Sequence, residues 1–229
     1  MTDNQVRERS PLRELHLEIY PPTDGPDSFD RYPWQREIRS FRGEVIYQNG
    51  RFPHFRLADG AFDDADEHDV HAYHLMVRSR STGAIVATAR AAPLERLPVS
   101  RVMALDEPTA TRLMSSRGLR RSDVFEGARW VVDPRHRGRR IGQLLIVAGA
   151  LLTRRAHRKL IWVLAGTATG QDALLRQFGF QEVSATPHPM PDVGDTVKLL
   201  ACAPEQLLDH RPEFVEEIAP AVSAALRRH

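Results

Sequence analysis

Apolar residues along this 229-residue chain fall into stretches of two periods, and the alternation of the two predicts a mixed fold. Tyr73 to Arg78 and Ala84 to Ala91 are strand-like runs separated by Ser81, Thr82 and Gly83, a turn signal that closes a hairpin. Val124 to Val132 is again strand-like, and Leu160 to Leu164 is short, β-rich and bounded by Gly166. Between them, Leu144, Val147, Leu151 and Leu152 recur at helical spacing and predict a helix over Gln143 to Arg155. Shorter helices are expected over Glu37 to Tyr47, Thr109 to Arg117, and Asp172 to Gln177, the last stopped by Gly179. Phe180 to Ser184 and Thr196 to Cys202 read as a closing strand pair around a Pro-rich loop, Pro187 to Pro191.

The two ends differ from this core pattern. Residues 1–35 carry Pro11, Pro21, Pro22, Pro26 and Pro33 with little periodicity, which reads as an extension draped on the domain. In residues 204–229, Phe214, Val215, Ile218, Val222, Ala225 and Leu226 share one helical stripe interrupted at Pro220. Docking of that helix on its own domain ranks above a homodimer contact. One domain over residues 36–203 is therefore the expected unit.

Composition adds little beyond solubility of this picture. Hydrophobic residues at 41% and charged residues at 27% are ordinary for a chain with a packed core. Cys202 is the only cysteine and Met1 to Ser10 is a polar run, which points to the cytoplasm. The longest apolar stretches fall short of the ~20 residues that cross a bilayer, so no membrane partner is expected. Net charge is only +2, but Arg135, His136, Arg137, Arg139 and Arg140 are concentrated in one turn, Pro134 to Gly142, between a strand and a helix. The run lacks interleaved aromatics, which argues against nucleic acid.

That placement gives the basic turn a chemical meaning. The first N–H groups of a helix lack partners and carry partial positive charge, so a turn kept close by Gly138 and Gly142 can receive a diphosphate. Arg137 to Gly142 resembles the signature of the GNAT superfamily of N-acetyltransferases: Arg or Gln, two residues, Gly, one residue, Gly or Ala. The resemblance extends over roughly residues 37–203, including Val132-x-Pro134 and the Gly179-Phe180 pair; the departure is Arg140, where Gly is usual. It implies an α+β fold, an α/β/α sandwich with a mostly antiparallel sheet of six to seven strands and helices on both faces. The sheet would splay between its fourth strand, Val124 to Val132, and its fifth, Leu160 to Leu164. Acetyl-CoA or another acyl-CoA would be gripped between Val132 and Leu145. Arg137, Gly138, Arg139, Arg140, Ile141, Gly142 and Gln143 would hold the diphosphate, and a backbone N–H near Val131 or Val132 would polarise the thioester carbonyl.

For the acid–base work, an amine must lose a proton before it attacks, and Glu126 on the fourth strand is the expected base. Arg129 lies three residues on, across an ideal strand unless a bulge intervenes. The tyrosine that many GNAT enzymes use on the leaving thiolate is replaced by Leu175, with Tyr47, His188 or solvent as substitutes. Asp66-x-x-Asp69, Arg90 and Glu126-x-x-Arg129 also resemble the polar series of acyl-homoserine-lactone synthases and N-acyl amino acid synthases, which share the fold. That implies acceptor binding by Asp66, Asp69, Arg90 and Arg129. Asp66 and Asp69 with His71 and His74 do not offer convergent ligand spacing, and no metal is expected.

The sequence thus leads to an N-acyltransferase moving an acyl group from acyl-CoA to a small-molecule amine by direct attack in a ternary complex. One alternative is a synthase that takes its acyl group from acyl carrier protein. The other is an inactive CoA-sensing module.

Overall fold

The computed structural model of the protein describes residues 13–23, 25, 31–184, 186–190, 194–209 and 211–227. Eight strands form one open sheet: β1 (Leu15–Tyr20), β2 (Tyr73–Ser79), β3 (Ile85–Pro93), β4 (Val124–Val132), β5 (Leu160–Gly166), β6 (Gln181–Glu182), β7 (His188–Met190) and β8 (Asp195–Cys202). Their order is β1-β2-β3-β4-β5-β8-β6, with β7 also paired to β8. Every pairing is antiparallel except β4 with β5. The helices are α1 (Pro33–Gln48), α2 (Arg101–Ser116), α3 (Ile141–Arg155), α4 (Gln171–Gln177), α5 (Pro204–Asp209) and α6 (Pro212–Arg227).

Strand alternation sorts the helices onto two faces. On β2, Leu75 and Val77 belong to the main core with α3, α5 and α6, while Met76 between them joins Ile38 of α1. On β5, Ile161 faces the main core and Trp162 packs with Val102 and Leu113 of α2. A period of two forces this division, because consecutive side chains leave a strand on opposite faces.

Two expectations change. The segment read as an extension contains β1, whose Leu15, Leu17 and Ile19 are buried beneath α6 and paired along β2. Its apolar–polar alternation over six residues was obscured by the neighbouring prolines. The Pro-rich loop supplies β7, and both additions take the sheet to eight strands instead of six to seven. A proline is tolerated there because Pro189 sits in a three-residue strand at the sheet margin.

The helix expected from Thr109 starts eight residues earlier, at Arg101. Ser100 caps it through a bond from the Met103 N–H at 3.1 Å, and the chain bends at Asp106, where φ is −150°, ahead of Pro108. The C-terminal helix docks on its own domain, with Phe214, Ile218, Val222 and Ala225 buried against α3 and β1. Pro220 lies within it without ending it.

Candidate active site

The parallel ladder between β4 and β5 runs only from Val124 opposite Leu160 to Gly127 opposite Val163. Beyond Gly127 the strands part, and β4 has no ladder partner on that side. A cavity of about 470 Å³ occupies the gap. Its walls come from β4 (Gly127 to Val131), β5 (Ile161, Val163, Leu164), α3 (Leu145, Ile146, Gly149) and α4 (Leu175). Apolar side chains make up most of the lining, and Arg90, Arg101, Glu126 and Arg129 are among its polar groups.

A bulge organises the polar end. The β3–β4 register shifts between Thr88 and Arg90, so β4 carries one extra residue there, and Arg129 adopts the left-handed conformation at φ 52°. The bulge turns Arg129 onto the α1–α2 face, the same face as Glu126. It does not pair the two. Arg129 reaches Asp64 at 2.9 Å and Asp66 at 3.0 Å.

Glu126 is held instead by the start of α2. Its Oε2 accepts from Ser100 Oγ at 2.5 Å, Trp162 Nε1 at 3.2 Å and the Val102 N–H at 3.4 Å, while Oε1 accepts from the Arg101 N–H at 3.0 Å. A carboxylate at a helix N-terminus meets unpaired N–H groups and a favourable dipole, which explains how a charge 3% exposed is tolerated in an apolar strand. A carboxylate oxygen has two lone-pair sites, so Oε1 retains one beside the cavity.

Asp66 and Asp69 occupy a buried ionic cluster behind the cavity wall. Asp66 contacts Arg90 at 3.1 Å and Arg101 at 2.7 Å, and Asp69 contacts Arg42 at 2.6 Å and Arg90 at 2.8 Å. Arg42 also meets Asp64 at 2.9 Å. Burial opposes ionisation of both aspartates, but the surrounding guanidinium groups outweigh it and hold Asp66 and Asp69 well below the usual carboxylate range. Burial raises Asp64 and lowers Arg129 to about 10. His74 is pushed down to about 4, chiefly by burial, and its Nε2 lies 2.8 Å from the Asp69 carbonyl. Four guanidinium groups face three aspartates, leaving the cluster with excess positive charge at neutral pH. Neither Asp66 nor Asp69 lines the cavity; Arg90, Arg101 and Arg129 do.

In the turn into α3, Asp133 receives the Arg135 N–H at 2.9 Å and folds the Arg135 guanidinium onto itself at 2.7 Å, so that arginine is committed locally. Gly138 turns the chain at φ 77°. Arg140 takes φ 61°, the conformation a glycine would favour, and precedes α3, whose N-terminus has no side-chain cap. Its guanidinium leads away to α6, 2.5 Å from Glu213 and stacked over Phe214 at 4.8 Å. Arg137 and Arg139 are exposed, and Gln143 is half-buried at the first turn of α3. Ile141 is buried in the main core. A Cβ on Gly142 would come 2.8 Å from the Trp130 ring, so the glycine lets the indole lie against α3. Trp130 Nε1 is buried without a partner among the described residues. Val131 lines the cavity, and Val132 closes the strand opposite Ala87.

Three features escaped sequence reading: Arg101, which joins Asp66 to the cavity, the indole of Trp130, and the cap on α2 made by Glu126. Ser100 ahead of an apolar run was the available signal for the last. Leu175 lines the cavity, while no Tyr, His or Cys does so among the described residues. Tyr47 packs on Phe62 and His188 pairs with Asp106, both away from the cavity lining. No group of three or more His, Cys, Asp or Glu able to hold a metal occurs among the described residues.

Comparison with known proteins agrees with this geometry. The family model of the acetyltransferase (GNAT) domain matches residues 41–147. A search of the curated proteins finds no match. Among solved structures, the CoA-dependent acyl-homoserine lactone synthase BjaI, with SAM and isopentyl-CoA, superposes with a TM-score of 0.62 at 14% identity, covering 87% of this chain and 89% of that one. The CoA-dependent acyl-homoserine lactone synthase MesI gives 0.57 at 20% identity, covering 87% and 95%. FeeM, an N-acyl amino acid synthase from uncultured soil microbes, gives 0.53 at 12% identity, covering 86% and 93%. The splayed sheet and the glycine-bearing turn into α3 give the chain a GNAT-like fold, consistent with the match of the acetyltransferase (GNAT) domain model to residues 41–147.

Proposed function

We propose that the protein transfers an acyl group from an acyl-CoA thioester to the amine of a small molecule, by direct attack while both are bound. The cavity between the parted strands, whose Trp130 lies against Gly142 in the first turn of the uncapped helix α3, carries this reading. The residues fit the donor. The α3 N–H groups and Arg137 and Arg139 suit a diphosphate, and the unpaired Trp130 Nε1 supplies a donor for the pantetheine arm. Beyond Gly127 one β4 backbone N–H, near Val131 or Val132, faces the gap and is offered to the thioester carbonyl.

Glu126 takes the proton of the attacking amine on the free lone pair of Oε1, directly or through a water. The leaving group needs less help: a thiol ionises near pH ~8.5, so the thiolate departs without a dedicated acid and is protonated by solvent. On the acceptor side, Asp66 and Asp69 act through the arginines they fix. A cationic wall of Arg90, Arg101 and Arg129 favours an amine that also carries a carboxylate over a polyamine.

The test is thiol release from acyl-CoAs and from acyl carrier proteins, across amino acids and diamines. Release from acyl-CoA with amino acids is expected, and Glu126→Gln should lower kcat/KM by about 100-fold or more. Release from carrier protein alone, or full activity in Glu126→Gln, contradicts the donor or the base respectively. CoA binding without release from any donor would identify a sensing module.

A further inference from the structure

Arg140 stands where the signature of the turn into α3 has glycine, yet its backbone keeps a conformation that glycine favours, φ 61°. A Cβ makes that conformation unfavourable, so the turn needs a hold that a glycine would not. The conformation matters to the start of the helix. The Arg140 carbonyl accepts the Leu144 N–H at 3.0 Å, which makes it the first acceptor of α3 and leaves the N–H groups of Ile141, Gly142 and Gln143 without a carbonyl inside the helix. Those are the groups that a diphosphate would meet, and the dihedrals of Arg140 set their direction.

The side chain of Arg140 supplies the hold. Its Nη2 lies 2.5 Å from Glu213 Oε1, its guanidinium sits 4.8 Å over the Phe214 ring, and its Nε donates to Gln143 at 3.4 Å. Phe214 is 1% exposed and packs in the main core with Leu144 and Leu145 of α3, so the platform beneath the guanidinium is fixed. Glu213 stands in the first turn of α6, where the helix dipole favours a carboxylate. Arg129 repeats the arrangement at the bulge: a positive φ in a residue with a Cβ, and a guanidinium tied to carboxylates. As a ligand of the diphosphate, Arg140 would be poorly served by Glu213, which neutralises its charge and repels the anion.

We propose that Glu213 is a positioning residue for the donor: through Arg140 it holds the turn in the conformation that presents the α3 N–H groups, so that α6 is a working part of the CoA site. Arg140 acts there through its backbone and its anchor, not as a charge on the diphosphate. This rests on the reading of the turn as the diphosphate grip.

The test is calorimetric titration of the full chain with CoA and with pantetheine, which lacks the diphosphate. By charge alone, Glu213→Gln removes a carboxylate from beside the anion and should tighten CoA binding. The opposite sign is expected: CoA weakens by about 3-fold while pantetheine is unmoved. Arg140→Ala loses the anchor and keeps a Cβ, so CoA weakens at least ~5-fold. Arg140→Gly loses the anchor but needs none, so it regains most of that loss, and Glu213→Gln added to it has no further effect. Thermal melting checks that each variant is folded; should Glu213→Gln fail, the contrast between Arg140→Ala and Arg140→Gly decides. Unchanged or tighter CoA binding in Glu213→Gln, or equal losses in Arg140→Ala and Arg140→Gly, overturns the proposal. Failure of the diphosphate reading looks different: the parent itself would bind CoA no more tightly than pantetheine, and the proposal would fall with it.

Discussion

At the scale of single residues, Asp69 shows why the polar series could be seen in the sequence but not understood there. The spacing of Asp66, Asp69, Arg90 and Arg129 was legible, and the structure does gather them. Their division of labour was not, because Arg42 and Arg101 come from helices whose facing depends on tertiary packing. Asp69 is 2% exposed and holds two guanidinium groups. Asp69→Asn should therefore destabilise the protein by about 3–5 kcal/mol, the usual cost of leaving buried charge uncompensated, read from urea unfolding. A loss under ~0.5 kcal/mol, typical of surface changes, would show that the cluster is not structural.

His74 gives the same cluster a pH signature. Its folded value of about 4 lies below the ordinary 6.5, so between these the unfolded chain binds the extra proton and stability rises with pH. The contribution is whole above pH 6.5 and is lost as pH falls towards 4, amounting to roughly 3 kcal/mol. Asp66 and Asp69, depressed further, hold their contribution until the pH drops below the normal carboxylate range. Urea midpoints for parent and His74→Phe should accordingly converge in slope between pH 8 and 6.5 and diverge below, with the variant flatter. Equal pH dependence would contradict a neutral buried His74.

At the scale of elements, β4 and α3 were the most legible parts, since each has a strong period, and the turn between them bears the glycine and arginine signature. The bulge at Arg129 was not, because nothing in Gly127 to Trp130 marks where the extra residue sits; the shift appears only against β3. Edge strand β1 was hidden by prolines on its C-terminal side, and β7 is too short to have a period. Gly149 offers a check on α3 itself. Because no packing opposes a methyl there, Gly149→Ala should stabilise the protein by about 1 kcal/mol, the difference in helix propensity, and raise the melting temperature. Destabilisation would mean that the cavity wall needs that space for its own packing.

At the scale of the molecule, the fold's central device is one parallel pairing that opens. Antiparallel pairings flank it on either side and helices back both faces, while β4 and β5 part between them. The gap places apolar walls and the Glu126 carboxylate around one volume, and Trp130 in its wall lies against Gly142 at the start of α3. Arg140 ties this site to the C-terminal helix through Glu213 and Phe214, so α6 braces the turn that begins α3. The glycine and arginine turn was readable because it is short and local; the buried arginine–aspartate cluster was not, since it is assembled from α1, α2, β3 and β4.

If the turn into α3 grips the diphosphate of a CoA donor, calorimetric titration with CoA against pantetheine, which lacks that diphosphate, will show it. CoA should bind saturably and at least ~10-fold more tightly, a difference that shrinks with added salt as expected for charge-assisted contacts. Equal affinity for the two, or no binding of CoA, would contradict the account.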